Sequence, residues 1–320
     1  MADEIRIDEL NPAHFSEQKI EDIRRAVGDG TAINALSGGV DSSVVTMLGH
    51  RALGDKLRTV FINNALMREG EPERIVAIFR ELGVNVEVVD ARNEFLTALA
   101  GITDPEEKRE AVTQTFYKEV FGHIVRESQA THLLQGTILT DIDETVAGIK
   151  RQHNVFEQLG IDPRKTFGYG IIEPLIQLRK DAVRKVGEAL GLPEELFARI
   201  PFPGPALAAR IIGEVTPERL DTVRKSTAVV EDVLESTGAF QYMAILHDDR
   251  VTGIRNGQRD YGQQIEIRCW ESTDARTAHP TRLPFDTLEH LAGQLTEQVP
   301  GVVSVTYNIA TKPPSTIEAV

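Results

Sequence analysis

A glycine-rich turn between two apolar segments, LSGGVDSSV from Leu36 to Val44, constrains the fold of this chain more than any other feature. The preceding TAINAL, Thr31 to Leu36, is typical of a short buried strand. After the turn, from Ser42 to Leu53, apolar residues recur at helical spacing. The glycines therefore lie where a strand ends and a helix begins. Free backbone amides and the helix dipole favour an anion there, so the segment predicts a phosphate-binding loop.

The part of the chain up to residue 200 alternates between strand and helix patterns, which predicts a parallel sheet with helices on both faces. Ligands of such sheets bind at the carboxyl ends of the strands, where the segment Ser37–Ser43 would lie. The further predicted strands are Leu57–Asn63, Val84–Asp90 and Thr131–Gly136, and the further predicted helices are Glu71–Gly83, Asp104–Ser128 and Arg179–Gly191.

A proline-rich stretch, Arg199 to Pro217, separates this region from a different pattern. We expect a nucleotide-binding domain over residues 1–200 and a smaller α+β domain over residues 201–320. The predicted elements of the second domain are helices Pro217–Thr237 and Pro284–Val299 and strands Tyr242–His247, Gln263–Trp270 and Val302–Ile309.

Composition narrows the class of protein. The 320 residues carry a net charge of −14, which argues against a broad nucleic-acid surface. No apolar run is long enough for a membrane span, and the acidic N-terminus lacks the apolar region of a signal peptide, so we expect a cytoplasmic protein. Cys269 is the single cysteine, which excludes intrachain disulfides and a cysteine-based metal site.

The loop fits one of three known phosphate-binding patterns. A Walker A loop requires a Gly-Lys pair, which occurs nowhere in the chain, and the Rossmann glycine pattern is absent from this segment. The remaining pattern, S-G-G-x-D-S, is typical of ATP pyrophosphatases. Its glycines let backbone amides approach a pyrophosphate, and its serine hydroxyls can donate hydrogen bonds. Asp41 either caps the helix or helps to hold Mg²⁺.

Several further motifs carry a resemblance that extends along essentially the full chain. They are DPEEKRE, LLQGT, IKRQHNV, IIEPLIQLRKDAVRKVGEALGLPEEL, PFPGPALAARIIGEVT and KPPSTIE. With SGGVDSSV, they make the chain similar to the ATP-pyrophosphatase part of GMP synthase, in the form of the separate archaeal synthetase subunit. The resemblance implies a parallel-sheet domain like the adenine nucleotide alpha hydrolases, followed by a small α+β dimerisation domain. It also implies a homodimer.

The family reaction gives the loop a purpose. The resemblance implies that xanthosine monophosphate (XMP) is adenylylated by MgATP with release of pyrophosphate. Ammonia then displaces AMP to give GMP. Because the chain has no cysteine near its N-terminus, we expect ammonia to come from a separate glutaminase subunit.

The resemblance also implies site residues. The ATP-binding residues would be Ser37, Gly38, Gly39, Val40, Asp41, Ser42, Ser43 and Arg210, with Asp41 and Lys180 catalytic and Asp41 also a metal ligand. The XMP-binding residues would be Arg109, Lys312, Ile317 and Glu318. Further polar residues expected near the nucleotides are Asp141, Glu144, Lys150, His153 and Asp181. The C-terminal segment KPPSTIEAV is therefore expected to be ordered.

Two stretches depart from the family pattern. Where the family usually reads F-V-D-[NT]-G-L-[LM]-R, this chain reads FINNALMR, with Asn63 at the acidic position and Ala65 at the glycine. Where the family reads G-D-x-R-T-Y, the chain has Gly257 at the acidic position, although Arg259 and Tyr261 align. These changes put metal or nucleotide binding at both places in doubt.

Other functions compatible with the loop are a tRNA thiolase, a lysidine synthetase, NAD synthetase, or a non-catalytic nucleotide sensor. The acidic charge and single cysteine disfavour the tRNA enzymes, and NAD synthetase gives no account of KPPSTIE. Asn63 is the feature that favours a sensor.

Overall fold

A computed structural model describes residues 4–146, 168–197, 202–255, 257–273 and 275–319. The chain divides into two compact units. The first comprises Met1–Asn63, Pro72–Asp90 and Phe116–Arg199, and the second comprises Asn64–Glu71, Ala91–Thr115 and Ile200–Val320. Two inner segments are thus grouped with the C-terminal residues, and the division into domains at residue 200 stays a prediction.

The first unit is built on a five-stranded parallel sheet, as the sequence pattern predicts. Its strands are β1 (Ala32–Ala35), β2 (Leu57–Asn63), β3 (Val86–Asp90), β4 (His132–Leu134) and β5 (Gly170–Ile172). β1 lies in the centre, with Ala32 opposite Leu57 of β2 and His132 of β4. Most residues of β1 and β2 are buried, as in strands covered on both faces, and the buried side chains include the polar Asn34 and Thr59.

The strand order is β3-β2-β1-β4-β5. The chain runs outward from β1 through β2 to β3 and then returns to β4 on the other side of β1. The order therefore reverses between β1 and β4, and the crevice at the carboxyl ends of these two strands is the usual ligand position of such sheets. The segment Ser37–Ser43 follows β1 directly.

The helices of the first unit follow the apolar periodicity of the sequence. α2 buries Val44, Val45 and Leu48, and its last turn ends at Gly54, which has a positive φ. The helices are α1 (Pro12–Val27), α2 (Val40–Leu53), α3 (Glu71–Glu81), α6 (Phe121–Ser128), α7 (Leu139–Val146), α8 (Lys180–Ala189) and α9 (Glu194–Phe197), with α4 (Arg92–Leu99) and α5 (Pro105–Gln114) assigned to the second unit.

The long helix predicted over Asp104–Ser128 is observed as continuous helical structure from Pro105 to Ser128, but the prediction misses a change of hydrogen bonding in its middle. α5 and α6 are separated by a stretch of π-helical hydrogen bonding, Thr115–Val120. Gly122 explains how the wider turn is accommodated, because a Cβ atom there would lie 2.3 Å from the Tyr117 carbonyl oxygen. The boundary between the two compact units also falls here, between Thr115 and Phe116.

The second unit contains a mixed sheet with two long antiparallel strands. These strands extend well beyond the predicted segments. Their outer halves are polar and exposed, and so lack the apolar alternation from which strands are predicted. Its elements are β6 (Gln241–Arg255), β7 (Gln258–Glu271), β8 (His279–Pro280), β9 (Val302–Tyr307), α10 (Pro217–Leu234) and α11 (Phe285–Gln298). β9 runs parallel to β7, and β8 runs antiparallel to it. The fold class predicted from the sequence is confirmed.

Within the described ranges, no helix combines the length and the apolar character needed to cross a bilayer.

Candidate functional site

The loop between β1 and α2 is held by its own serine side chains. Ser42 Oγ accepts a hydrogen bond from the Ser37 amide (3.2 Å), donates to the Gly39 carbonyl (2.9 Å) and lies 2.9 Å from Ser37 Oγ. The Gly39 N-cap position has no side-chain cap. Donors at the first turn of α2 are thus left for a ligand, and the helix dipole favours an anion there.

Gly38 and Gly39 have different backbone conformations. Gly38 has a φ of 80°, in the left-handed region that favours glycine, whereas Gly39 has an extended backbone with a φ of −72°. A Cβ atom on Gly39 would lie 3.5 Å from Ser37 Oγ, an ordinary contact. The turn therefore requires a glycine at position 38. At position 39 the backbone would accept a side chain, and glycine instead lets a ligand approach the backbone closely.

Asp41 and Lys180 form an ion pair beside the loop. Lys180 is the first residue of α8, and its Nζ lies 2.5 Å from Asp41 Oδ2. Within the described part of the chain, the other carboxylate oxygen, Asp41 Oδ1, and the hydroxyl of Ser43 are buried without a hydrogen-bond partner. The structure thus brings together the two residues predicted to be catalytic and leaves polar atoms that suit a ligand or cation.

A buried polar chain fixes the start of α2 to the sheet. Thr59 of β2 donates to Asn34 Oδ1 (2.9 Å), and Asn34 Nδ2 of β1 donates to Thr46 Oγ1 (2.6 Å). Thr46 in turn donates to the Ser42 carbonyl oxygen at 2.7 Å. Because all three side chains are buried and paired, they hold the loop in one position.

Gly136, which follows β4 within the motif LLQGT, is a site residue to which the sequence patterns assign no role. A Cβ atom on it would lie 3.2 Å from the Asp41 carbonyl carbon and 3.3 Å from the Ser42 nitrogen. The segment after β4 therefore approaches the first turn of α2 closely. This is the topological switch point between β1 and β4, and the glycine that ends the predicted strand is the signal that could have found it.

The predicted XMP-binding residues of the C-terminal segment lie in the second unit. Ile317 is buried in a cluster with Met243, Ile245, Trp270 and Ala278. Lys312 Nζ donates to the Ala275 carbonyl oxygen at 2.7 Å, and Glu318 Oε1 accepts from Gln241 Nε2 at 2.6 Å. The segment is packed, as the sequence predicts.

Arg210, predicted to bind ATP, also lies in the second unit and pairs with Glu318. Its side chain is fully buried, and its Nε lies 3.5 Å from Glu318 Oε2. Burial lowers the pKa of the Arg210 guanidinium, and the Glu318 carboxylate opposes that shift. The ring of Phe202 lies between two arginines, since its centroid is 3.9 Å from the guanidinium carbon of Arg68 and 4.7 Å from that of Arg210. Arg210 and the Ser37–Ser43 loop thus fall in different compact units.

Arg109 lies on α5 of the second unit, with its side chain 35% exposed and its Nε 3.6 Å from Glu106. Its neighbour Lys108 is fully buried and donates to the Ile211 carbonyl oxygen at 2.7 Å. Burial and the charge of Arg219 lower the pKa of Lys108 to about 8. This bond ties α5 to the residue that follows Arg210.

Other predicted polar residues are only partly described. Asp141 Oδ2 accepts from the Ile138 amide (3.0 Å) at the start of α7, and Asp181 Oδ1 accepts from the Ala182 amide (2.9 Å). The side chain of Glu144 and the whole of Lys150 and His153 lie outside the described residues. Asn63 ends β2, and Gly257, with a φ of 76°, lies at the exposed turn between β6 and β7.

Comparison with known proteins decides the family. Residues 15–118 match the NAD synthase family and residues 227–319 match the GMP synthase C terminal domain family. The chain is 46% identical over 95% of its length to a subunit of glutamine-hydrolyzing GMP synthase from Pyrococcus furiosus, of which 96% is covered. It is 47% identical to the subunit of the same name from Archaeoglobus fulgidus, covering 95% of this chain and 98% of that protein. The chain belongs to this family of GMP synthase subunits.

Membership of the GMP synthase family confirms the resemblance that the motifs indicate. The NAD synthase match covers the loop region, and the C-terminal match covers the tail with Lys312, Ile317 and Glu318. The two matches together cover parts of both compact units. The roles of the individual site residues stay predictions.

Proposed function

We propose that this chain is the synthetase subunit of a two-subunit GMP synthase, an ATP-dependent ligase that converts XMP to GMP with ammonia. One observation carries the proposal: an S-G-G-x-D-S loop lies at the switch point of a parallel sheet in a chain of the GMP synthase family. The names of the relatives describe a glutamine-hydrolysing enzyme made of subunits, so a separate glutaminase is the expected partner.

The chemistry balances in two displacements. The O2 oxygen of XMP attacks the α-phosphorus of ATP, and the bond to pyrophosphate breaks. Ammonia then adds to C2 of the adenylylated XMP, loses a proton, and expels AMP. The amides and hydroxyls of Ser37–Ser43 suit the charge that accumulates on the departing pyrophosphate, and Lys180 adds a positive charge beside them. Catalysis would then come from positioning and charge stabilisation.

The loop also fits Mg²⁺. Asp41 Oδ1 is buried and, among the described residues, without a hydrogen-bond partner, and carboxylate oxygens are the protein ligands that Mg²⁺ prefers. Asp41 is the residue that would hold the ion. Bound Mg²⁺ would neutralise phosphate charge. Asp41 would hold the ion through Oδ1, while Oδ2 pairs with Lys180.

The proposed XMP site uses Arg109, Lys312, Ile317 and Glu318. Its support is the packing of the tail, which presents an ammonium and a carboxylate from a fixed backbone. A carboxylate can accept hydrogen bonds from ring N–H groups or ribose hydroxyls, and the cations suit a monophosphate. Ile317 contributes by packing. The N–H groups of Arg210 suit an anion, and its role with ATP stays a prediction.

The expected assembly comes from the resemblance, and the expected class of partner comes from the net charge. We expect a homodimer formed through the second unit, as the resemblance implies, and a cytoplasmic location. The charge of −14 disfavours a nucleic-acid partner, and we expect none.

An assay of the purified chain tests the function directly. With XMP, MgATP and ammonium, we expect GMP, AMP and pyrophosphate in equal amounts, and no AMP when XMP is omitted. Lys180→Ala is the matched variant, and should lower turnover without unfolding the chain. Production of ADP and phosphate, or AMP release that does not depend on XMP, would contradict the proposal.

A further inference from the structure

Two side chains of β7 hold the backbone of the C-terminal segment. Arg268 Nη1 donates to the carbonyl oxygens of Thr316 (2.9 Å), Ile317 (3.4 Å) and Glu318 (3.1 Å). Trp270, two residues further along the strand and so on the same face, donates from Nε1 to the Ile317 carbonyl oxygen at 3.2 Å. Three consecutive carbonyl groups of the tail are thereby bound by side chains of one strand.

The guanidinium of Arg268 is itself fixed by Glu266, which lies on the same face of β7. One oxygen of Glu266 accepts from Arg268 Nε and from Asn308 Nδ2 (3.0 Å), and the other lies 2.7 Å from His247 Nε2. Both Arg268 and Glu266 are 8% exposed. Hydrogen bonds from β6, from β7 and from the residue after β9 thus hold the carboxylate that orients the arginine.

These contacts place the residues proposed to bind XMP. With its carbonyl held by Arg268 and Trp270, Ile317 packs in the apolar cluster. Glu318 follows directly, and its carboxylate then meets Gln241 and Arg210. An arginine suits this task because its planar fork bonds Glu266 through Nε and the tail through Nη1 at once, which a lysine ammonium cannot reproduce.

We infer that Arg268 is a positioning residue for XMP, which fixes the backbone of residues 316–318 and so sets the place of Glu318. The inference rests on the proposed function. Arg268 acts through the tail and does not contact the substrate. Its loss should therefore weaken the use of XMP while leaving the use of ATP unchanged, because the hydrogen bonds that Arg268 donates beyond Glu266 go to the tail.

The test compares Arg268→Gln and Arg268→Lys in the full chain. We expect the KM for XMP to rise at least tenfold in the Gln variant and less in the Lys variant, with the KM for ATP within twofold of wild type. Trp270 is the single tryptophan and is 1% exposed. Its emission should shift to the red in the Gln variant as the tail detaches, and carboxypeptidase should remove the tail faster.

Arg255→Gln is the matched control. Arg255 lies on β6, where it bonds Asp260 and the Val302 carbonyl oxygen, away from the tail. The control variant should keep wild-type XMP kinetics and emission. Circular dichroism establishes folding, and the milder Lys variant carries the test if the Gln variant does not fold.

A folded Arg268→Gln chain with the wild-type KM for XMP and unshifted emission would overturn the inference, as would equal rises in the KM values for XMP and ATP. Failure of the proposed function has a different signature, since the wild-type chain would then release no AMP with XMP. Emission and digestion would still test whether Arg268 holds the tail, and an unshifted emission would contradict that as well.

Discussion

Ala65 occupies a backbone conformation that suits glycine. Its φ is 67°, and the pattern that the resemblance implies has glycine at this position. Arg224 donates to the carbonyl oxygens of Ala65 (2.5 Å) and Met67 (3.0 Å), and so holds the strained turn. A left-handed conformation costs an alanine roughly 1–2 kcal/mol. The alanine at position 65 therefore carries a strain that a glycine would not.

Ala65→Gly should therefore stabilise the chain. Relief of the strain outweighs the entropy that a glycine loses on folding, and we expect a gain of about 0.5–1 kcal/mol in the free energy of unfolding, measured in urea. Ala100→Gly is the matched control, since Ala100 is exposed with an ordinary φ of −60° and should lose stability. Equal losses in the two variants would show that Ala65 is unstrained.

Glu266 should make stability depend on pH in the acid range. Burial alone would raise the pKa of its carboxyl, but hydrogen bonds from His247, Arg268 and Asn308 lower it from 4.5 to about 2. A group whose pKa is lower in the folded state contributes stability above its unfolded pKa and loses that contribution as the pH falls toward the folded pKa. The contribution of Glu266 should thus be complete at pH 7 and decline between about pH 4.5 and 2.

Glu266→Gln measures this contribution. Since charge-assisted hydrogen bonds are lost, the variant should be less stable than wild type by about 2–3 kcal/mol at pH 7. The difference should shrink at about pH 3.5, inside the range in which the carboxylate is protonated on unfolding, as followed by urea unfolding at each pH. Glu87→Gln is the control, because Glu87 forms an exposed pair with Arg58 and should change stability little. A difference for Glu266→Gln that does not vary with pH would contradict the assignment.

At the scale of elements, the two glycines of the loop between β1 and α2 are needed for different reasons. The left-handed φ of Gly38 is needed by the turn itself, whereas the extended Gly39 has room for a Cβ atom. The sequence alone does not distinguish the two glycines. A substitution at Gly38 should disturb the loop, and one at Gly39 should act on the ligand.

Gly38→Ala and Gly39→Ala test this difference. Gly38→Ala should lower stability by about 1–2 kcal/mol and also weaken ATP binding. Gly39→Ala should keep the wild-type melting temperature and raise the Kd for ATP, because the added methyl group lies where the phosphates approach. Calorimetric melting and ATP titration provide the two readouts. Wild-type ATP affinity in both variants would mean that the loop does not hold the phosphates.

The elements show which parts of the fold a sequence can predict. The bounds of β2 follow from the sequence, because a short, mostly apolar run rich in β-branched and aromatic residues that ends in polar residues is typical of a buried strand. The π-helical stretch Thr115–Val120 within the helix predicted over Asp104–Ser128 does not follow from the sequence, because the apolar periodicity continues through it. Nor do the outer halves of β6 and β7, which are exposed and lack apolar alternation. Pairing with a partner strand, rather than composition, makes them strands.

The candidate site likewise has parts that the sequence predicts and parts that it does not. The loop follows from a motif that carries its own geometry, and the resemblance names Asp41 and Lys180, but the ion pair between them joins residues 139 positions apart and is seen only in the structure. The contacts of Arg268 with the tail join residues 48 to 50 positions apart, and the pairing of Arg210 with Glu318 is likewise distant in sequence. No local pattern encodes such contacts. They depend on the packing of β7 against the tail.

At the scale of the whole molecule, the proposed nucleotide sites are distributed between the two compact units. The loop and Lys180 belong to the first, and Glu318 and Lys312 belong to the second. Arg210, predicted to bind ATP, also belongs to the second unit, so we expect one-substrate effects for substitutions of Lys180 and Glu318 rather than for every site residue. Lys180→Ala should impair ATP use, and Glu318→Gln should raise the KM for XMP by roughly ten- to a hundredfold, equivalent to about 1.5–3 kcal/mol for a lost charged hydrogen bond.

Steady-state kinetics with each substrate varied in turn measure this separation. The KM for ATP in Glu318→Gln should stay within threefold of wild type. Glutamine at 318 retains the size of the side chain, so that the buried Arg210 keeps a polar neighbour. Equal effects of both variants on both substrates would contradict the division.

At the scale of the whole molecule, the structure also bears on whether this chain can take its nitrogen from glutamine. Cys269 is 1% exposed in the middle of the sheet, and burial raises the pKa of its thiol. A cysteine nucleophile needs an accessible thiolate, so this residue is unsuited to glutamine hydrolysis. The purified chain should make GMP with ammonium and release no glutamate from glutamine, as measured by coupled assay.

Cys269→Ala tests whether Cys269 contributes only to core packing or also to catalysis. The variant removes the sulfur from the core, which should lower the melting temperature slightly but leave ammonium-dependent turnover within twofold of wild type. Adding a purified glutaminase subunit should confer glutamine-dependent synthesis on the wild type and on Cys269→Ala alike, because the thiol takes no part. Glutamate release by the wild-type chain alone, lost in Cys269→Ala, would show instead that the buried cysteine becomes exposed and acts as the nucleophile.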